Sequence, residues 1–398
     1  MPRSIRMRLA RSVLTTIALA ALVPAAARAE RGPHAEMIAR PETPRAGEPA
    51  LLRFTVRDSA GAAVRFLQFV HERPMHLIIV SDDLGEFAHV HPELAYDDAY
   101  EVTHSFPRGG RYRMFADYTP PGSGTRVDRF DLTVAGVAPT ERDPRRTGMR
   151  RETRLVPDSV LTRTVAGVNV SLAFERAPRA GEDLRFGVTL SDSATGAPIN
   201  DLELYLGALA HFIIVSEDLA DFIHAHPLET GEVIDPARDP TTVHVHDPAL
   251  LAKMLAGPSP PTIHAVTSLE RAGRYKMWVQ FQRGGRVVTA PFVFSVDRAR
   301  PMAARRGVVA PANSIRVLVG AAGYEPARIE VRKGEATTIA FSRPKAGNCG
   351  GVVVIPSLGI RRELPVGGTI LVSISPTESG EIPFQCGMGM LQGVIVAR

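Results

Sequence analysis

Along most of the chain the apolar residues come in short runs, rich in β-branched and aromatic side chains and punctuated by Gly, Pro and Asp. "LLRFTV", "HLIIV", "FAHVH" and "RYRMFADY" are examples from the first third. Runs of this kind at short spacing predict strands, and units of roughly 100 residues built from them predict β-sandwiches. From about Ser314 the pattern alternates again, in "ARIEVRKGE", "ATTIAF", "GVVVI", "TILVSIS", "EIPFQC" and "GVIVA". Every folded unit is therefore expected to be all-β.

An internal repeat orders the first three quarters. "PRAGEPALLRFTVRDSAGAAV" from Pro44 is echoed by "PRAGEDLRFGVTLSDSATGAPI" from Pro178, and "HLIIVSDDLGEFAHVHP" (His76 to Pro92) matches "HFIIVSEDLADFIHAHP" (His211 to Pro227) at eleven of seventeen positions. Each copy closes alike, with "GRYRMFADY" from Gly110 and "GRYKMWVQF" from Gly273. The predicted organisation is a first repeat at 30–137, a charged unpatterned linker at 138–154, a second repeat at 155–298, a second linker at 299–313 and a last domain at 314–398. The second repeat carries an insertion, 228–265, whose prolines and lack of period read as a loop with one short helix.

The N-terminus changes the electrostatic picture. Arg3, Arg6, Arg8 and Arg11 precede the apolar stretch "SVLTTIALAALVPAAA", which ends at Ala27-Arg28-Ala29, a small-residue cleavage pattern. Residues 1–29 thus read as a secretory signal peptide, and the protein is expected to be exported, periplasmic or secreted. Nothing after Glu30 has the roughly 20 apolar residues of a spanning helix, so a soluble, not membrane-spanning, mature chain is expected. The formal charge of +5 loses five arginines with the signal peptide, leaving 42 basic against 42 acidic residues. A nucleic-acid partner, which needs clustered excess Lys and Arg, has no support.

Histidine is unevenly distributed. All 12 lie between His34 and His264, and six occupy equivalent places in the repeats: His76, His89 and His91, then His211, His224 and His226. The strand period of two puts both histidines of "FAHVHP" on one face, and a hairpin centred near Asp83 would bring His76 across from them. Asp117, on the later "FADY" strand, is a candidate fourth group. Such a set suits Cu(II) or Zn(II). The second repeat has Gln280 near the equivalent place and adds His244 and His246, so its site is expected to differ or be weaker. The alternative for each set is a structural role, with ring nitrogens hydrogen-bonded at strand ends.

The last domain has no histidine and both of the chain's cysteines, Cys349 and Cys386, the latter in "FQCGMGMLQG" with Met388 and Met390. Thiolate and thioether donors select Cu(I), and the glycines let a short loop turn tightly around an ion. A Cys349–Cys386 disulfide with the methionines as core filler is the competing reading. The stretches "YEPARIEVRKGE", "TTIAF", "NCGGVVVIP" and "GEIPFQCGMGMLQGVIV" resemble the cupredoxins, small copper-binding Greek-key sandwiches, over 314–398. The spacing Gly380-x-x-x-Phe384-x-Cys386 matches the strand that leads to the copper cysteine, Met390 stands where that family places its methionine, and Cys349 stands where its first histidine usually is. The resemblance implies copper, and the departure from the histidine ligands implies a Cu(I) holder rather than a blue copper centre. The repeats resemble immunoglobulin-like modules of exported bacterial metal-handling proteins.

The expectation is an exported copper-binding protein that sequesters copper or transfers it to other exported or membrane copper-handling proteins. It is read as a metal-binding protein rather than an enzyme: Ser81 and Ser216 sit in acidic turns and form no catalytic triad. A copper-dependent redox protein or oxidase, and a metal-free adhesion module stapled by the disulfide, are the alternatives.

Overall fold

The computed structural model describes residues 33–121, 125–137, 155–227, 257–298, 308–320, 323–345, 350–358, 360–387 and 391–398. The first unit contains β1 (His34–Arg40), β2 (Pro49–Arg57), β3 (Met75–Ser81), β4 (Phe87–Val90), β5 (Glu93–Leu94), β6 (Tyr100–Ser105), β7 (Gly110–Tyr118) and β8 (Arg126–Val134). Two antiparallel sheets, β1-β2-β6-β5 and β4-β3-β7-β8, enclose one core. Alternation in β2 sends Ala50, Leu52, Phe54 and Val56 inward to meet Leu77 and Ile79 of β3 and Met114 and Ala116 of β7.

The second unit repeats the plan with β9 (Thr162–Val165), β10 (Val168–Phe174), β11 (Asp183–Asp192), β12 (His211–Ser216), β13 (Phe222–Ala225), β14 (Thr262–Ser268), β15 (Gly273–Arg283) and β16 (Arg286–Val296). Its sheets are β14-β11-β10-β9 and β13-β12-β15-β16. β14 opens at Thr262, inside the stretch expected as an insertion, because the chain pairs with β11 as soon as Pro258, Pro260 and Pro261 are passed. The short helix expected further back in that insertion, the linkers at 138–154 and 299–307, and the leader at 1–29 lie outside the described residues.

The third unit has β17 (Ile315–Gly320), β18 (Gly323–Glu325), β19 (Arg328–Val331), β20 (Thr337–Arg343), β21 (Val352–Ile355), β22 (Ile360–Glu363), β23 (Gly368–Ile374), β24 (Gly380–Cys386) and β25 (Gln392–Ala397). Its sheets are β18-β17-β20-β23 and β19-β25-β24-β21-β22, with parallel pairing of β17 to β20 and β19 to β25. Val317, Ile339 and Phe341 of one sheet pack on Val353, Phe384 and Ile395 of the other. Arg343, with no exposed surface, ties this unit to the second: its guanidinium donates to Asp183 at 2.8 Å and to the Ser268 hydroxyl at 2.6 Å. The protein is thus an all-β, multidomain assembly of sandwich-like layers. No described helix is long and apolar enough to cross a membrane.

The sheet containing β3 packs face to face on the sheet containing β12. Strands β3 and β12 are buried along their whole length because both faces are covered. Leu77 and Ile79 face their own core, while Ile78 and Val80 meet Ile213, Val215, Phe222 and Trp278 of the second repeat. The contacts come in exchanged pairs. Phe87 stacks on Trp278 with ring centroids 4.7 Å apart, and Phe115 on Phe222 at 4.5 Å. Lys276 donates to the Leu84 carbonyl at 2.7 Å, and Arg113 to the Leu219 carbonyl at 3.3 Å. Phe87 and Phe222, Phe115 and Trp278, Arg113 and Lys276, and Leu84 and Leu219 are equivalent positions of the repeat. Each pair therefore reproduces the other with the repeats swapped, which is the geometry of a two-fold dimer interface built into one chain.

Candidate metal centre

The histidines lie at the end of this interface. In the first repeat the β3–β4 hairpin pairs Ile78 with His89 and Leu77 with Val90, so the next step along brings His76 and His91 opposite each other. His76 Nδ1 then lies 3.0 Å from His89 Nε2, and His91 Nε2 lies 3.2 Å from the same atom. The far nitrogens are already engaged. His76 Nε2 donates to the Val70 carbonyl at 2.9 Å, and His89 Nδ1 donates to Oε1 of Gln280 in the second repeat at 2.8 Å. A neutral imidazole has one N–H, so the nitrogens of His76 and His89 that face each other both carry lone pairs. Lone pairs at hydrogen-bond distance with no proton between them repel; a cation placed among them removes the conflict.

The second repeat reproduces this set. His211 Nδ1 lies 3.1 Å from His224 Nε2 and 2.8 Å from His226 Nε2, and His211 Nε2 donates to the Tyr205 carbonyl at 2.8 Å. His224 Nδ1 lies 3.2 Å from Oδ2 of Asp117, which belongs to the first repeat. In each triad one nitrogen from every ring lies within 4.8 Å of the others. Three converging imidazoles, two of them in each triad with the back nitrogen fixed by an acceptor, form the usual protein ligand set for Zn(II) or Cu(II).

Asp117, expected as a fourth group beside His76, His89 and His91, is instead directed at the other triad. His76 and Asp117 are partners in the β3–β7 register, but the carboxylate extends across the interface to His224. Gln280, its equivalent, crosses the opposite way to His89 and is held from behind by Thr289 at 3.0 Å. His71 could not be picked out by the repeat, since Leu206 occupies its place in the second copy. It sits on a tight turn with a left-handed backbone (φ 48°) between Val70 and Arg73, and its ring stacks on His226 with centroids 3.6 Å apart.

Burial sets the protonation of the cluster. Loss of solvent lowers His76 to about 4 and His91 to about 3, and lowers His89, His211, His224 and His226 well below the ordinary imidazole value. The rings are therefore neutral at pH 7, the state in which they bind metal. The same desolvation raises Asp117 to about 7. The two triads differ in depth: His211, His224 and His226 are all buried, whereas His89 and His91 are half-buried. The "SDDL" turns between the hairpin strands hold no such chemistry. Ser81 donates to Asp83 at 2.6 Å, and Arg108 clamps the same carboxylate. Ser216, Asp218 and Arg271 do likewise in the second copy.

In the third unit Cys386 ends β24 with no exposed surface. Its backbone N–H donates to the Leu391 carbonyl at 2.9 Å, and the Leu391 N–H donates to Sγ at 3.3 Å. A Cβ on Gly387 would stand 3.0 Å from Val352, a tight contact where the chain leaves β24 beside β21. Cys349, Met388 and Met390, and likewise His244 and His246, lie outside the described residues. Cys386 offers a soft sulfur donor in a domain whose sequence has no imidazole.

Comparison with known proteins gives separate matches for the repeats and for the third unit. A cupredoxin-like domain model matches residues 287–397. Among solved structures, the metal-binding domain of the Cu(I)-exporting P-type ATPase of Streptococcus pneumoniae D39, solved with Cu(I), is 28% identical over 23% of this chain and 93% of its own, with a TM-score of 0.21. A copper-binding protein in its apo form is 35% identical over 21% of this chain and 86% of its own, with a TM-score of 0.20. No curated protein matches the chain. A family model described as a domain of unknown function, DUF8832, matches residues 34–136 and again 163–298, which is more than half of the chain. The protein therefore belongs to the DUF8832 family, and a cupredoxin-like domain follows its second repeat.

Proposed function

We propose that the protein is an exported copper-binding protein that holds copper or passes it on, without catalysing a reaction. The observation that carries this reading is the pair of histidine triads in which His76, His89, His211 and His224 turn lone pairs inward because their outward nitrogens meet Val70, Gln280, Tyr205 and Asp117. The cupredoxin-like domain supports copper as the metal. In this reading Cys386, with Cys349, Met388 and Met390, holds Cu(I), since sulfur is the softer donor set. The triads take Cu(II) or Zn(II), for which imidazole is suited and for which Cu(II) is favoured by its intrinsic affinity. The signal-like N-terminus supports a periplasmic or secreted location, and other exported or membrane copper-handling proteins are the natural donors and acceptors. The repeats serve as immunoglobulin-like scaffolds.

The test is the metal content and oxidation state of the protein isolated from its own compartment. Copper bound as colourless Cu(I), lost when Cys386 is replaced by Ser, is the expected result. An intact Cys349–Cys386 disulfide with no copper would defeat the sulfur site. An intense visible absorption in the copper-loaded form would favour redox chemistry over holding.

A further inference from the structure

Resting on the reading of the triads as metal sites, we propose that they are one two-ion centre across the repeat interface, in which Asp117 of the first repeat makes the second repeat's triad, His211, His224 and His226, the tighter half. The ions are divalent and late first-row, as the all-imidazole donor sets require.

The rings of the two triads are direct neighbours. The His224 centroid lies 5.1 Å from that of His76 and 5.2 Å from that of His89, while His211 lies 5.8 Å from His89. Neither triad is complete within its own repeat: the acceptor behind His89 is Gln280 of the second, and the acceptor behind His224 is Asp117 of the first. Loading either triad is thereby linked to the docking of the repeats.

The pseudo-two-fold makes the difference between the halves informative. The stacked aromatic pairs, the cation-to-carbonyl contacts and the carbonyls behind His76 and His211 are matched across the axis. At the acceptor behind the hairpin histidine the match breaks: a carboxylate stands behind His224 and an amide behind His89. A carboxylate behind a ligating imidazole strengthens it as a donor and brings a negative charge to a buried cation, and its removal typically costs about 10- to 100-fold in affinity. An amide orients the ring and brings no charge. Depth acts in the same direction, because the charge interaction is less screened around the fully buried triad than around half-buried His89 and His91.

The test uses Zn(II) as the probe on the full-length apo protein, titrated against a chelator of known affinity. The parent chain should show two histidine-dependent binding events of unequal strength, with H226A removing the tighter and H91A the weaker. D117N, which keeps the size of the side chain and an acceptor oxygen, should weaken the tighter event roughly 10- to 100-fold and spare the weaker. Q280E should strengthen the weaker event, a gain that a purely structural role for this position would not give. Should D117N unfold, Q280E decides alone. Two events in the parent with neither changed by D117N or Q280E would overturn the hierarchy while leaving the triads as metal sites. No histidine-dependent event in the parent would overturn both.

Discussion

The histidine centre and the sulfur centre are built in opposite ways. The six imidazoles sit where two copies of one domain press sheet against sheet, and each triad depends on a residue from the other copy. Cys386 is held inside one folded unit: its backbone and its sulfur both meet Leu391, five residues on, and it pairs with Val353 of β21. One site is a product of docking between repeats, and the other lies within a single folded unit. Conditions that part the repeats should therefore empty the first and leave the second.

Acid is the strongest such condition. His76 and His91 are lowered by burial to about 4 and about 3, with the other four triad histidines also lowered, whereas in the unfolded chain all six return to about 6.5. Below pH 6.5 the unfolded chain binds protons that the folded interface refuses. The stability they contribute is complete above that value and is lost as pH falls towards 4. For His76 alone the loss at pH 5 is about 2 kcal/mol. Asp117, raised to about 7, works the other way, gaining stability as pH falls below 7, but it is one group against six. Chemical denaturation of the apo protein between pH 7.5 and 4.5 should show a steep acid loss in a transition assigned to the repeats. The histidine-free C-terminal domain should change little. A flat profile for the repeats would break the contrast.

The complementary break is Cys386→Ser. Losing the thiolate should weaken Cu(I) binding by roughly a thousandfold, about 4 kcal/mol, in competition with a Cu(I) chelator. Zn(II) binding at the triads should be unchanged. If both fall together, the two centres are not independent.

Between these in kind, and somewhat smaller in energy, is a substitution aimed at the docking itself. Phe115 is fully buried and stacks on Phe222 across the interface. Phe115→Ala should cost about 3 kcal/mol, read from thermal or denaturant unfolding, and should lower Zn(II) affinity at both triads with Cu(I) binding unaltered. Unaltered Zn(II) affinity in a destabilised protein would show that the triads do not need the docked arrangement.

Much of this was legible in the sequence, for reasons that also mark where reading stops. The "HLIIV" and "FAHVH" runs gave β3 and β4, and strand period with hairpin symmetry gave the meeting of His76, His89 and His91. These are local effects, fixed by the geometry of a strand and a turn. The docking of the repeats is a long-range effect, yet it left a trace: "MHLIIVS" and "HFIIVS" do not alternate, as a strand with one wet face would, but stay buried throughout. Asp117 shows the limit more sharply. Its register beside His76 is correct, and its partner is still His224, because a side chain follows the nearest donor and not its own strand's neighbour. At the sulfur centre, burial of Cys386 accords with its place at the end of a core strand, while the thioethers of Met388 and Met390 lie outside the described residues.

The smallest effect concerns His71, which breaks the equivalence of the repeats. Its ring stacks on His226 at 3.6 Å and meets His211 edge-on at 5.7 Å, whereas the equivalent Leu206 has no ring to offer the first triad. A stacked aromatic pair contributes about 0.5 to 1.5 kcal/mol, so His71→Leu should reduce the tighter Zn(II) affinity at most about tenfold. The turn at this position needs a left-handed residue, and Leu206 shows at φ 51° that leucine takes that conformation in the same fold, so the substitution should not disturb the backbone. Isothermal titration of the variant should still give two histidine-dependent ions. A loss of one whole ion would make His71 a ligand in its own right, and the second repeat's centre would then be a four-imidazole site rather than the twin of the first.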